Sequence, residues 1–169
     1  MLAIRKGGGG PAGQFGVGMI EVLVAVLVLS IALLGLARLQ IESLRSNTNA
    51  FFRSQAITLA ASLSERLRAN RQAARAGAYR IGPAERPPAG PACLPHDPCS
   101  EEQLAAADLR HWRQRIAMLL PAGHGAVQSR GHDLLVTIYW DGRRTGATSF
   151  GCGKSPRTDL ECFKLEIGP

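Results

Sequence analysis

The sequence predicts an α+β protein: a long N-terminal helix, with a membrane half and an amphipathic half, packs against a small antiparallel sheet, with one additional helix. Two observations lead to this prediction. No proline interrupts the 169-residue chain between Pro11 and Pro83, and apolar residues in that interval keep helical spacing. After Pro121 the apolar residues recur at every second position, which is typical of strands.

The first half of the predicted helix, residues 17–38, is long and apolar enough to cross a membrane and to form the core of a filament. The 21 residues from Val17 to Ala37 include one charged side chain, Glu21, and a membrane helix needs about 20 residues. An ionised carboxylate in such a segment is costly without a partner, which indicates a role for it. A secretory signal peptide is cleaved after its apolar core, and no Ala-x-Ala follows this core before Arg38. A plain signal anchor with an incidental interfacial carboxylate is the other alternative.

The second half of the helix, residues 39–76, is predicted to be amphipathic and to carry a domain along one face. Its end is indicated by Gly77, Gly82 and Pro83, and residues 77–98, rich in proline, glycine and alanine, are interpreted as a linker or an extended loop. Steps of three and four residues define one stripe, made of Ile41, Leu44, Thr48, Phe52, Ala56, Leu59, Leu63 and Leu67.

Residues 99–169 are predicted to complete the domain with one helix and a sheet. Ser100 and Gln103 fit a capping box, and the helix that follows is expected to end at Pro121, with Trp112 as its core anchor. Alternating patterns predict strands over 134–140, 145–150 and 163–167, and Asp141-Gly142 is interpreted as a turn between the first two of these.

The four cysteines, Cys93, Cys99, Cys152 and Cys162, suggest two disulfides if this part of the chain lies outside the cytoplasm. They allow three connectivities. We favour the local pairs, Cys93 with Cys99 and Cys152 with Cys162, because each closes a short loop with little other order. Cys93-x-x-His96-x-x-Cys99 could instead supply three zinc ligands, but a fourth ligand is lacking nearby. No metal and no cofactor are therefore predicted.

Charge and motifs argue against catalysis and against nucleic acid as the main partner. Residues 38–90 hold nine arginines against three glutamates within a total formal charge of +7. Such a basic helix could meet lipid head groups, acidic subunit faces or DNA. DNA is disfavoured because no stacking aromatics are interleaved with the arginines. The four histidines are scattered, and no nucleophile and base are placed together, so we predict no enzyme activity.

The N-terminal residues carry a specific resemblance. Gly16, four intervening residues and then Glu21-Val-Leu-Val, preceded by a short basic leader, resemble the N-terminus of type IV pilins and type II secretion pseudopilins. The resemblance implies that residues 1–16 are a leader removed by a prepilin peptidase. Val17 would then be the new, N-methylated first residue, and Glu21 would pair with the N-terminus of another subunit. Val17 and Gly18 depart from the family's usual first two residues.

Further segments resemble minor pilins. They are Leu-Leu-Gly-Leu-Ala at 33–37, Ser64 to Asn70, the Gln103-Leu104-Ala105-Ala106 helix, Trp112, Leu119-Leu120-Pro121 and Trp140-Asp141. The resemblance implies a single-pass inner-membrane protein with a periplasmic C-terminus, later inserted into a pilus, where it affects biogenesis, adhesion and twitching motility. Its implied partners are major and minor pilins, the peptidase and the inner-membrane assembly platform. A secretion pseudopilin and a membrane-anchored DNA-uptake subunit are the alternatives.

Overall fold

A computed structural model describes residues 18–90, 99–155 and 157–168. Its helices are α1 (Met19–Ala69), α2 (Arg71–Ala76) and α3 (Glu101–Leu119), and its strands are β1 (His124–Arg130), β2 (Asp133–Trp140) and β3 (Glu161–Ile167). The chain divides into two compact units, one ending at Ser43 and the other beginning at Leu44. The predicted fold class is therefore confirmed: a long N-terminal helix, a small antiparallel sheet and another helix.

The second unit, residues 44–169, contains the sheet and the core. The strands are ordered β1-β2-β3, and both pairs are antiparallel. A two-residue connection, Gly131-His132, joins β1 to β2, with Arg130 opposite Asp133. One face of β2 contributes Val136, Ile138 and Trp140 to the main core. Tyr139 lies in a smaller cluster with Ala126, Ala147 and Leu160.

Trp112 anchors α3 in the main core, as the sequence predicts. Its indole is 2 % exposed, and its Nε1 donates a hydrogen bond of 3.0 Å to the carbonyl oxygen of Leu59. The strand β1 approaches this ring so closely that a Cβ at Gly125 would lie 2.5 Å from the indole and 2.7 Å from Ile116. Glycine is therefore required there by close packing.

The predicted apolar stripe of α1 is buried only in its C-terminal part. Its last five members are core residues: Phe52, Ala56, Leu59, Leu63 and Leu67. Ile41 and Leu44, by contrast, are 53 % and 65 % exposed. The periodicity thus identified the face of α1 that is buried in the second unit, but this burial begins only at Phe52.

The helix predicted to run continuously to Ala76 is interrupted at Asn70. This residue has φ −118° and ψ 58°, and α2 begins after it. Its Nδ2 donates to the carbonyl oxygen of Glu101 at 2.8 Å and lies 3.3 Å from the Tyr79 hydroxyl. These hydrogen bonds are made to distant parts of the chain, which explains why helical periodicity did not reveal the break.

The helix after the linker begins as predicted. The Ser100 hydroxyl accepts from the Gln103 backbone N–H at 3.2 Å, and Gln103 Oε1 accepts from the Ser100 N–H at 2.9 Å. The two bonds form the capping box and satisfy donors that a helix N-terminus leaves unpaired.

One predicted strand is wrong and one strand was missed. Residues 145–150 form no ladder strand and contribute only an isolated parallel bridge between Ser149 and Asp159. The cause is local: the Asp141 carboxylate accepts the backbone N–H groups of Thr145 and Gly146 and folds the segment back in a turn. The missed strand is β1, which pairs with the edge of β2 opposite to β3. Its sequence is poor in the branched and aromatic residues that favour strands, so no strand was predicted there.

Candidate functional site

Glu21 lies in the first turn of α1. The carbonyl oxygen of Gly18 accepts the Glu21 N–H at 2.9 Å and the Val22 N–H at 3.3 Å, which starts the helix. The Glu21 side chain is exposed, and a carboxylate at this position is stabilised by the positive end of the helix dipole. The predicted processing residues, Gly16 and Val17, lie outside the described residues.

The helix that follows Glu21 presents apolar side chains on all sides. From Val22 to Leu36 the large apolar residues are 51–72 % exposed. The hydroxyl of Ser30 donates to the Val26 carbonyl oxygen at 2.7 Å, so this polar group is satisfied within the helix. An entirely apolar helix surface requires lipid or other helices around it. By length and composition this helix is able to cross a membrane.

A disulfide joins Cys152 to Cys162 across a sequence separation of 10, in agreement with the predicted local pair. It connects the loop after β2 to the second residue of β3, beside the smaller core cluster. Cys99 is also disulfide-bonded and is therefore no zinc thiolate. Its expected partner Cys93, and His96 of the zinc alternative, lie outside the described residues. Within the described ranges, no group of three or more potential ligands could hold a metal ion.

A buried polar cluster, formed by Arg66, Asn70, Tyr79 and Asp108, ties the end of α1 to α3. The Arg66 guanidinium pairs with Asp108 Oδ1. The Tyr79 hydroxyl donates to Asp108 Oδ2 at 2.7 Å, and Asn70 Nδ2 lies 3.3 Å from the same hydroxyl. Burial, together with the hydrogen bond to Asp108, raises the pKa of Tyr79 well above its ordinary value. The cluster holds its phenol neutral and fixes the direction in which the chain leaves α2.

The guanidinium of Arg113 has a similar positioning role. It donates to the backbone carbonyl oxygens of Pro83 and Glu85, at 2.9 and 3.0 Å, and to that of Gly125. Burial lowers the pKa of Arg113. One side chain therefore holds the 82–86 segment, β1 and α3 together.

The loop after β2 is organised around Asp141, which is 7 % exposed. Burial alone would raise its pKa, but backbone N–H donors from Thr145 and Gly146 and the Thr145 hydroxyl outweigh that effect, and the pKa of Asp141 lies below its ordinary value. The ionised form is thus the one that the folded loop stabilises.

Sequence reasoning missed a basic cavity of about 440 Å³ in the second unit. Four arginines line it: Arg68, Arg71, Arg75 and Arg80. The spacing of the first three, at steps of three and four, was the available signal, since such residues share a helix face. The contribution of Arg80 and of the β1–β2 turn depends on tertiary structure.

A long N-terminal helix whose apolar part is exposed, together with a small antiparallel sheet and a further helix, is a pilin-like α+β arrangement. Residues 38–110 match the model of the Tt1218-like family, described as type IV pilin Tt1218. The match covers less than half of the chain, from the second half of α1 to the middle of α3, and supports a type IV pilin. No curated protein and no solved structure gives a significant match.

The family result bears on the coarser predictions as well. The type IV pilin family is one of structural proteins that assemble with other pilins into pili. Together with the exposed apolar helix, the match supports membrane anchoring before assembly.

Proposed function

We propose that this chain is a minor type IV pilin, similar to the pilus modification protein PilV. A prepilin peptidase removes residues 1–16 by cutting between Gly16 and Val17, and the new N-terminus is methylated. The chain waits in the inner membrane as a single-pass protein with its C-terminus in the periplasm. It then enters the pilus, where it primes assembly and so affects adhesion and twitching motility.

The observation that carries this proposal is the position of Glu21. It is the single charged residue in the apolar segment from Val17 to Ala37, and its carboxylate is exposed in the first turn of the helix. In a filament the α-amine of a neighbouring subunit would lie in the same apolar surroundings, where a pair of opposite charges is far less costly than either charge alone. The exposed apolar surface from Val22 to Leu36 would pack against the same helix of other subunits.

The first experiment measures processing. The N-terminal sequence and mass of the protein are determined from cells with and without the prepilin peptidase. We expect mature protein beginning at Val17 only when the peptidase is present, with one additional methyl group. Retention of residues 1–16 in cells with active peptidase would contradict the proposal.

The second experiment measures incorporation. Glu21→Ala should leave cleavage intact and reduce the amount of this subunit in sheared pili to background, because the amine of the neighbour then has no partner. Glu65→Ala, which removes an exposed carboxylate of the same helix that pairs with Arg68, is the matched control and should be incorporated normally. Equal incorporation of both variants would refute the role of Glu21.

A type II secretion pseudopilin is the nearest alternative, since its N-terminus follows the same rules. The family match, described as a type IV pilin, favours the pilus. Deletion should therefore reduce piliation and twitching and leave protein secretion unchanged.

A further inference from the structure

The basic cavity is formed where the end of α1, α2, the β1–β2 turn and the end of β3 meet. Its volume is about 440 Å³, which falls within the range of roughly 300–1,000 Å³ typical of sites for small molecules. All of its lining residues lie between Leu67 and Gly168, within the second compact unit.

The charges that line this cavity are strongly unbalanced. Four arginines face a single carboxylate, Asp133. Arg68 is paired with Glu65. In the described part of the chain, the side chains of Arg71, Arg75 and Arg80 take part in no ion pair. These three guanidinium groups share one cavity with a single carboxylate, so an anion bound there would offset their excess positive charge.

The floor of the cavity is apolar. Leu67 and Ile167 are core residues, 3 % and 5 % exposed, and Ala74 and Leu134 complete the surface. A ligand that fills this space must therefore carry its charge at one end and an apolar body at the other. A fully hydrated inorganic ion would neutralise the arginines of the cavity but would leave its apolar residues without a contact.

We propose that this cavity binds a soluble organic phosphate with an aromatic or short apolar body. The phosphate would accept hydrogen bonds from Arg71, Arg75 and Arg80, since guanidinium groups recognise phosphate oxygens in bidentate fashion. The body would lie against Leu67 and Ile167. This site is separate from the Glu21 surface, so it can be tested independently of filament assembly.

The test uses the full chain in a non-ionic detergent and isothermal titration at fixed salt. The probe is 1-naphthyl phosphate, compared with inorganic phosphate and with 1-naphthol, which lack the body and the charge respectively. We expect the naphthyl phosphate to bind about tenfold or more tightly than either fragment. Arg71→Gln with Arg75→Gln should weaken its binding at least about tenfold, since each removes charge-assisted hydrogen bonds.

Two further variants keep the test decisive. Arg115→Gln with Arg157→Gln removes the same charge at exposed positions outside the cavity and should bind as the wild type does. Ser129→Trp fills the cavity without changing its charge and should abolish binding. The proposal is overturned if the filled variant binds normally, or if both double variants lose affinity equally. It is also overturned if the Arg71→Gln and Arg75→Gln variant loses affinity for duplex DNA and keeps its affinity for naphthyl phosphate. The arginines would then form an open surface that binds polyanions.

Discussion

Removing the carboxylate of Asp108 tests whether the buried polar cluster stabilises the second unit. Asp108→Ala leaves two donors without their acceptor: the Arg66 guanidinium and the Tyr79 hydroxyl, which bind separate oxygens of this carboxylate. The Tyr79 hydroxyl is fully buried, so it cannot reach water without disturbing the junction between α1, α2 and α3. We therefore expect a loss of stability larger than that of an ordinary surface substitution.

The magnitude follows from the burial of the two donors. Leaving the buried Tyr79 hydroxyl unsatisfied should cost about 1–3 kcal/mol. Breaking a fully buried ion pair costs about 3–5 kcal/mol, but the Arg66 side chain is 34 % exposed and water can reach it. Its contribution is accordingly reduced to about 1 kcal/mol. The sum predicts a decrease of about 2–4 kcal/mol in the free energy of unfolding.

Urea unfolding of the full chain in non-ionic detergent, followed by tryptophan fluorescence, measures this quantity. Both tryptophans, Trp112 and Trp140, are core residues of the second unit, so the signal reports that unit. Tyr79→Phe, which removes one hydrogen bond and keeps the ring, should cost about 1 kcal/mol.

The matched control removes an exposed carboxylate. Glu65 pairs with Arg68, and the two side chains are 72 % and 58 % exposed, so Glu65→Ala should change the free energy of unfolding by no more than about 1 kcal/mol. If Asp108→Ala costs no more than Glu65→Ala, the cluster does not stabilise the fold and the reasoning is refuted.

Three further predictions concern the sheet and its loop. The folded state lowers the pKa of Asp141, so its contribution to stability is present above the ordinary pKa of an aspartate and is lost as the pH falls through the lowered pKa. Asp141→Asn should flatten this part of the pH dependence of urea unfolding. Replacing both Cys152 and Cys162 by serine removes a covalent closure with a sequence separation of 10 and should lower the unfolding free energy by about 2–3 kcal/mol. Gly125→Ala should lower the thermal midpoint by at least several degrees, because the new Cβ would lie 2.5 Å from an indole ring.

Each of these has a result that would contradict it. An acid-unfolding profile of Asp141→Asn identical to that of the wild type would show that the carboxylate contributes nothing. The double serine variant should equal the wild type after both are fully reduced, and a difference there would point to packing of the sulfur atoms. Gly82→Ala is the control for Gly125→Ala, because its Cβ would meet nothing closer than 3.5 Å. If the two variants have the same thermal midpoint, the packing argument is wrong.

Local patterns predicted the long helix, the capping box and two of the three strands. Each depends on short-range chemistry: the apolar stripe on helical periodicity, the Ser100 cap on two reciprocal hydrogen bonds, and β2 on alternation of side chains. The errors occurred where side-chain hydrogen bonds compete with the apolar pattern of the segment. Asn70 leaves the helix to reach Glu101, and Asp141 folds residues 145–150 into a turn where alternation predicted a strand.

The two candidate sites also differ in whether the sequence alone could reveal them. Glu21 could be identified from the chain because a lone carboxylate beside an apolar run is costly wherever that run is placed. The basic cavity could not, since Arg71, His132 and Ile167 belong to elements far apart in sequence and are brought together only by packing.

By itself, therefore, the sequence determined the presence of a long N-terminal helix, the apolar character of its first half, the position of the acid Glu21 in that half and the presence of a small sheet. Tertiary structure decided where burial of α1 begins, at Phe52, where the helix breaks, at Asn70, and which arginines surround one cavity. The physical reason is that hydrophobic periodicity and capping act within a few residues, whereas burial, buried hydrogen bonds and charge clustering depend on neighbours supplied by the whole fold.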